Sequence, residues 1–289
     1  MKDIATLTCS QTSVIQRYVE DPLCLDGYKF DLRLYVLVTS FKPLEAFLYT
    51  DGFARVSTDK YSLNRADMDN KFIHLTNSSI QKMNENGVKK DNPLADCADD
   101  SGGTKLALKG PHGLWTRLQK RGMDVEAIWR SISLLVIKSL VIVDDKMAHQ
   151  PCSFEVFGYD VLIDSKLRCW LIEVNASPSM ARENNLDIRV KNAMIRDTIK
   201  LVDPLPFDRG ALARVLKRRY SDISKNKFSL SKNDNSIELE KDLRDILGDS
   251  TPRKYGEDPK DVGGYERLCP NTKLHAHVLK MKSKIIKSD

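Results

Sequence analysis

Between Phe154 and Met180 the chain reads FEVFGYDVLIDSKLRCWLIEVNASPSM, two apolar runs joined by the polar residues Asp164, Ser165 and Lys166. Apolar runs of this length around a polar turn predict a β-hairpin. Both runs carry carboxylates where a buried strand would carry hydrophobics. A hairpin turning near Lys166 sets Asp160 opposite Glu173, and Glu173 and Asn175, two apart on one strand, share a face. Like carboxylates side by side on a half-buried strand repel unless a cation separates them. An all-oxygen donor set suits a hard ion such as Mg²⁺, commonly shared with nucleotide phosphates. Asp160, Glu173 and Asn175 are therefore candidate metal ligands; the competing reading is an edge hairpin whose acids face water.

The segments upstream supply more sheet. SVIQRYV (Ser13 to Val19) predicts a short strand, followed by a loop marked by Pro22 and Gly27. In YKFDLRLYVLVTSF, Lys29, Asp31, Arg33 and Tyr35 alternate with Phe30, Leu32, Leu34 and Val36, the pattern of a strand with one polar and one buried face. PLEAFLYTDGFARVST predicts a hairpin turning at Asp51-Gly52, with Arg55 pointing outward beside the previous strand. KFIHLTNSSIQK clusters His74, Thr76, Asn77, Ser78 and Ser79, with His74 expected to pack and bond locally, and Met83 to Lys105 is polar enough to predict a mobile loop. Helical periodicity follows at Gly113 to Gly122 and at Val125 to Val143, where Ile128, Ile132, Leu135, Val136 and Leu140 share a face. LDIRVKNAMIRDTIKLV predicts an amphipathic helix ended by Pro204 and Pro206. This order of elements implies an α+β fold with a mainly antiparallel sheet and flanking helices. Its polar face would carry Lys29, Asp31, Arg33, Arg55, Asp160, Glu173 and Asn175, and a domain boundary is expected near Leu205.

Composition excludes several classes. The chain has 289 residues, 41% hydrophobic and 30% charged, which is globular composition. Its most apolar helical candidate, Ser133 to Val143, is broken by Lys138 and too short for a bilayer, so no membrane role is expected. The six cysteines are scattered, without a C-x-x-C pair, and read as reduced thiols. The net charge of +6 is modest, but Arg209 to Lys232 holds Arg209, Arg214, Lys217, Arg218, Arg219, Lys225, Lys227 and Lys232 against the single acid Asp222. Such a block draws polyanions unless it is merely a solvated helix face. Only Tyr220 and Phe228 supply aromatics there, and no nucleic-acid-binding module is recognisable, so nucleic acid is not the expected partner.

VIQRYVEDP, GYKFDLRLYVLVTS, HLTN, FGYDVLID and WLIEVNASPS occur here in an order and spacing that resembles the tubulin tyrosine ligase-like family, ATP-grasp enzymes that attach amino acids to tubulin tails. The resemblance covers about Ser13 to Val202, with a fainter echo at GGYERLCP. NASPSM followed by LDIRVKNAMIRD is most similar to the glutamate-adding members, the tubulin polyglutamylases.

The resemblance implies an ATP-grasp-like fold and roles for individual residues. Gln16, Arg17, Tyr18 and Val19 match the hinge that receives adenine; Lys29, Phe30 and Asp31 match nucleotide-binding positions, and Thr76 and Asn77 lie close to the terminal phosphate. Arg33 and Arg55 are the implied catalytic residues, Arg33 meeting phosphate or acyl phosphate through its planar fork. Asp160, Glu173 and Asn175 match the Mg²⁺ ligands. Arg55, Ser79, Lys105 and Lys191 match positions that hold the incoming amino acid, although Lys105, in a predicted loop, reads equally as a solvated lysine. The implied cofactors are ATP and Mg²⁺, and the partners are free L-glutamate and the acidic C-terminal tails of tubulin or microtubules. The expected protein is a monomer in the cytoplasm and on the microtubule cytoskeleton, cilium or basal body included.

The family's glycine-rich nucleotide-covering loop and lysines have no counterpart in MKDIATLTCSQT. The expectation is an N-terminally incomplete ligase, residues 1–205 forming the C-terminal part of the catalytic domain and 206–289 a basic helical or flexible extension that binds microtubules. As given, it should bind Mg·ATP weakly and turn over poorly or not at all, whereas a full-length version would be active. A noncatalytic microtubule-binding member and a glycine ligase remain as alternatives.

Overall fold

The computed structural model describes residues 16–95, 104–148, 153–224, 232–248 and 250–286. The chain divides into two compact units, one of residues 1–198 with 262–289, the other of 199–261.

The larger unit is built on an eight-stranded sheet whose pairings are all antiparallel. Strand β1 (Cys24–Leu25) folds back onto the start of β2 (Tyr28–Phe41). Along one edge of β2 lie β3 (Leu44–Tyr49) and β4 (Phe53–Lys60), one after the other. The strand β5 (Lys105–Ala107) extends the sheet from β4. Along the other edge of β2 runs β6 (Glu155–Ile163), which pairs with β7 (Cys169–Asn175), and β8 (Tyr265–Cys269) pairs with β3.

Alternation in β2 divides its residues as expected. Phe30, Leu32, Leu34, Val36 and Val38 enter the main hydrophobic core with Val161 and Ile163 of β6. That core is closed by three helices, α3 (Leu114–Lys120), α4 (Val125–Val143) and α8 (Lys273–Ile286), which follow α1 (Lys71–His74) and α2 (Ser78–Gln81) in the chain and enclose α5 (Asn185–Val202) between them in order. Helix α4 starts where the Asp124 carboxylate accepts from the Ala127 amide at 2.9 Å, and buries Ile128, Ile132, Val136 and Leu140 on one face, with Leu135 half-buried. On the opposite face of the sheet Tyr49 Oη donates to Asp197 of α5 at 3.3 Å, and Thr198 and Tyr265 hydroxyls meet at 2.6 Å.

Several expectations are corrected. Residues 16–19 are not in a strand, and Ser13 to Ile15 lie outside the described residues. Asp51-Gly52 does not turn a hairpin: β3 and β4 do not pair with each other but continue along the same edge of β2. Four residues of that edge (49–52) oppose two of β2 (34–35), so the chain bulges there and its two halves reach different outer partners, β8 and β5. A Cβ on Gly52 would sit 2.4 Å from the Arg33 carbonyl oxygen, which is why glycine occupies the bulge. The segment after Met83 is tied down: Leu94 is buried in the core, and Asn92 Nδ2 donates to the Ser57 carbonyl at 2.9 Å; residues 96–103 lie outside the described residues.

The compact units divide at 198/199, close to the boundary expected near Leu205, and again at 261/262, after which GGYERLCP pairs with the main sheet as β8. The second unit contains α6 (Arg209–Ser224) and α7 (Lys232–Leu247). Asp242 of α7, buried, accepts from Arg218 and from Arg219 Nε, the latter at 2.8 Å. Part of the basic block is thus neutralised within the unit; Lys225 and Lys227 lie outside the described residues. Among the described residues no helix is long and apolar enough to cross a membrane.

Candidate active site

The register of the sheet aligns charged side chains in two rows on one face. One row crosses β5, β4 and β2 as Lys105, Arg55 and Asp31; the other crosses β2, β6 and β7 as Arg33, Asp160 and Glu173. Asp31 and Arg33 are two apart on β2 and so share that face. Asp160 is the direct partner of Glu173, as the hairpin reading requires. Gly158, two residues before Asp160, leaves space for the turn after β7: a Cβ there would lie 2.8 Å from Pro178 Cβ and 3.4 Å from an Arg33 guanidinium nitrogen.

The face is polar without being wet. Arg55 is 8% exposed, Asp31 3% and Asp160 2%, so Arg55 does not point outward into solvent. Arg33 clasps Asp160 through Nε at 2.5 Å and a terminal nitrogen at 3.1 Å. Arg55 clasps Asp31 at 2.7 and 2.5 Å and reaches Asp160 at 2.8 Å. Burial raises the pKa of the Asp160 carboxyl, but the hydrogen bonds and charges of Arg33 and Arg55 outweigh it and hold it below the ordinary range.

Two cavities open on this face. The first, about 600 Å³, is lined by Gln16, Arg17, Tyr18, Val19, Lys29, Asp31, Thr76 and Asn77, with Asp160 and Glu173 at its wall. Lys29 Nζ donates to the His74 carbonyl at 2.8 Å and to Tyr18 Oη at 3.1 Å, and His74 Nδ1 meets the same hydroxyl at 3.0 Å. His74 is therefore a local packing and bonding residue, as expected. The Phe30 side chain is fully buried in the core on the opposite face, so only its backbone could serve a ligand here. Leu162, Leu171 and Ile172 add an apolar wall suited to a flat ring, a feature legible only as part of the apolar hairpin.

The expected metal set is brought together in part. Asn175 Nδ2 donates to Glu173 Oε1 at 3.0 Å, while Asp160 is engaged by the two arginines. Among the described residues no group of three or more His, Cys, Asp or Glu is placed to hold a metal. The set has two carboxylates and completes itself only with the Asn175 amide oxygen. Two adjacent carboxylates and one amide, all hard oxygen donors on one face, fit Mg²⁺ in chemistry.

The second cavity, about 360 Å³, is lined by Arg33, Arg55, Ser79, Lys105 and Lys191, together with Lys82 and Glu183. Arg55 and Asn77 line both cavities. Lys105 is on a strand and buried, not solvated: its Nζ donates to both Asp187 oxygens at 2.8 and 3.0 Å. Lys191 donates to the Ala181 carbonyl and lies 3.5 Å from Asp187 Oδ1. Burial lowers the Lys191 pKa, opposed by Asp187 and assisted by Lys105. Glu183 is paired with Lys82, whose hydrogen bond and charge hold its carboxyl low. Sequence reading did not single out Asp187, whose signal was its four-residue spacing from Lys191 on one helix, nor Phe53, and it put Tyr35 on the polar face of its strand without giving it a role; both rings line this cavity. It noted Ser78 only as part of a polar cluster; the Oγ is buried without a hydrogen-bond partner among the described residues and lines this cavity.

Two adjoining cavities, one with an apolar wall and carboxylates and one rich in cations, open on one face of a single antiparallel sheet. The chain belongs to the tubulin-tyrosine ligase family, whose model matches residues 1–211. It is 38% identical over 196 residues to human tubulin monoglutamylase TTLL4, covering 65% of this chain and 16% of that protein. It is 36% identical over 204 residues to human tubulin polyglutamylase TTLL5, covering 68% and 15%. Tubulin polyglutamylase TTLL7 of Xenopus tropicalis is 30% identical over 288 residues, 89% of this chain and 30% of the relative. The chain thus spans less than a third of the length of these curated relatives.

Proposed function

We propose that this chain carries the site of an ATP- and Mg²⁺-dependent ligase that adds glutamate to glutamate side chains of tubulin C-terminal tails. The observation that carries this reading is the meeting of the two cavities at Arg55, Asn77 and the Arg33–Asp160–Arg55 cluster. ATP would occupy the larger cavity, adenine beside Gln16 to Val19 and the apolar wall, ribose and phosphates toward Lys29, Asp31, Thr76 and Asn77. Asp160, Glu173 and Asn175 would hold Mg²⁺, which when bound neutralises charge on the transferring phosphoryl group.

The γ-phosphoryl group passes to the side-chain carboxylate of a tail glutamate, and Arg33 and Arg55 face the charge that develops there. The neutral α-amine of free glutamate attacks the acyl carbon; the acyl C–O bond to phosphate breaks, and the amine gives up one proton to the departing phosphate as the amide bond forms. Ser79, Lys105, Lys191 and Arg55 would receive the two carboxylates of the free amino acid. No enzyme nucleophile takes part. Residues 1–205 form the ligase part of this assignment. The basic residues of α6 not taken by Asp242, Arg209 and Lys217 among them, would meet the acidic tails or the microtubule surface, with the protein acting as a monomer on the cytoplasmic cytoskeleton.

The test is incubation of the chain, and of an upstream-extended version of it, with tubulin, Mg·ATP and each amino acid separately, followed by mass spectrometry of the tails. Added glutamate masses that require ATP support the reading; added glycine, or salt-sensitive microtubule binding without any addition, replaces it with one of the alternatives.

A further inference from the structure

Asp187 has no exposed surface, although it stands in the first turn of α5 beside the cationic cavity. Its carboxylate accepts twice from Lys105 Nζ, lies 3.5 Å from Lys191 Nζ, and takes the Glu183 backbone N–H at 3.3 Å. Its own N–H donates to Asn184 Oδ1 at 2.8 Å. One carboxylate therefore ties together β5, α5 and the loop that leads into α5. The two ammonium groups it serves are 82 and 4 residues away in the chain and both sit over the Phe53 ring, at 5.1 and 5.8 Å from its centroid. Two buried cations this close repel, and without an anion between them burial drives one of them to give up its proton. Two positive charges against one negative leave a net positive charge on the cavity wall, and the Glu183 carboxylate is already taken by Lys82. The geometry is that of a fixed counter-charge behind two cations, not of a ligand to the substrate.

We infer that Asp187 is a positioning residue for amino-acid selection: it holds the Lys105 and Lys191 ammonium groups side by side at the cavity wall, where they meet the carboxylates of a dicarboxylic amino acid. The inference rests on the assignment of this cavity to the amino acid.

Titration of the 289-residue chain with L-glutamate, L-glutamine and Mg·ATP in separate calorimetric experiments tests it, with Asp187→Asn and Asp187→Glu beside the wild type. Asp187→Asn should weaken glutamate at least tenfold, shrink the preference for glutamate over glutamine toward parity, and change Mg·ATP affinity less than twofold. Asp187→Glu keeps the charge but displaces it by one methylene, and should lie between the two for glutamate while retaining nucleotide. If the neutral variant does not fold, the same comparison is made on Asp187→Glu. Equal losses for glutamate and Mg·ATP, or a preference over glutamine that does not move, would show a merely structural aspartate and overturn the inference. A wild type that binds Mg·ATP but neither amino acid overturns the cavity assignment itself, and this inference with it.

Discussion

Arg55 is the hinge of the site, and its removal can be worked through from the structure. In Arg55→Met the aliphatic length is kept and the guanidinium is lost. Asp31, 3% exposed, then loses both of its bonds to Arg55, at 2.7 and 2.5 Å, while Asp160 keeps its clasp by Arg33. Breaking a buried ion pair by removing one partner costs about 3–5 kcal/mol, because the other charge stays buried and uncompensated. With Asp160 still paired, the expected loss is about 3 kcal/mol, at the lower end of that range. At a urea slope of about 2 kcal/mol/M this lowers the unfolding midpoint by about 1.5 M. The tryptophans, Trp115, Trp129 and Trp170, all lie in the larger unit, so their fluorescence reports its unfolding alone. Adding Asp31→Asn to Arg55→Met should recover about 1–2 kcal/mol, since the pair is then removed as a neutral unit. A midpoint shift below about 0.5 M, or no recovery in the double variant, would refute the view that Arg55 is there to balance buried carboxylates.

Glu173→Gln removes a charge from an exposed residue of β7; unfolding should change by less than about 0.5 kcal/mol while ATP-dependent incorporation of labelled glutamate is abolished, and retained incorporation would remove Glu173 from the metal set. Acid should unfold the larger unit through Asp160: its folded pKa is depressed, so the stability it contributes is complete above the ordinary carboxylate value of 3.8 and is lost as pH falls from there through the folded value. Urea midpoints measured from pH 5 to pH 2 should therefore fall below about pH 4, and less steeply in Asp160→Asn. Gly52→Ala places a methyl group 2.4 Å from the Arg33 carbonyl oxygen and should cost about 1–3 kcal/mol by thermal unfolding; a neutral result would mean that the bulge gives way freely.

How far the chain could be read depends on the range of the forces involved. Period-two alternation in β2 placed Lys29, Asp31 and Arg33 on one face, and the short turn of the β6–β7 hairpin put Asp160 opposite Glu173, because neighbouring residues in a strand have no other geometry open to them. The helix over Val125 to Val143 was legible from its apolar stripe, and five motifs in register carried the family. Asp51-Gly52 misled because a turn dipeptide fixes only a local bend; the free edge of β2 beyond Tyr35 decided that the chain should run on and not fold back. Nothing local could pair Arg55 with Asp31 and Asp160, or bring Lys105 to Asp187 across 82 residues. Those choices are made where buried charges must find partners once water is gone, and only the assembled sheet and α5 determine which partners are within reach. The sequence by itself determined the two faces of β2, the β6–β7 hairpin and the family; the tertiary structure decided how the other strands pair and which charge neutralises which, and so which cations remain to receive a ligand.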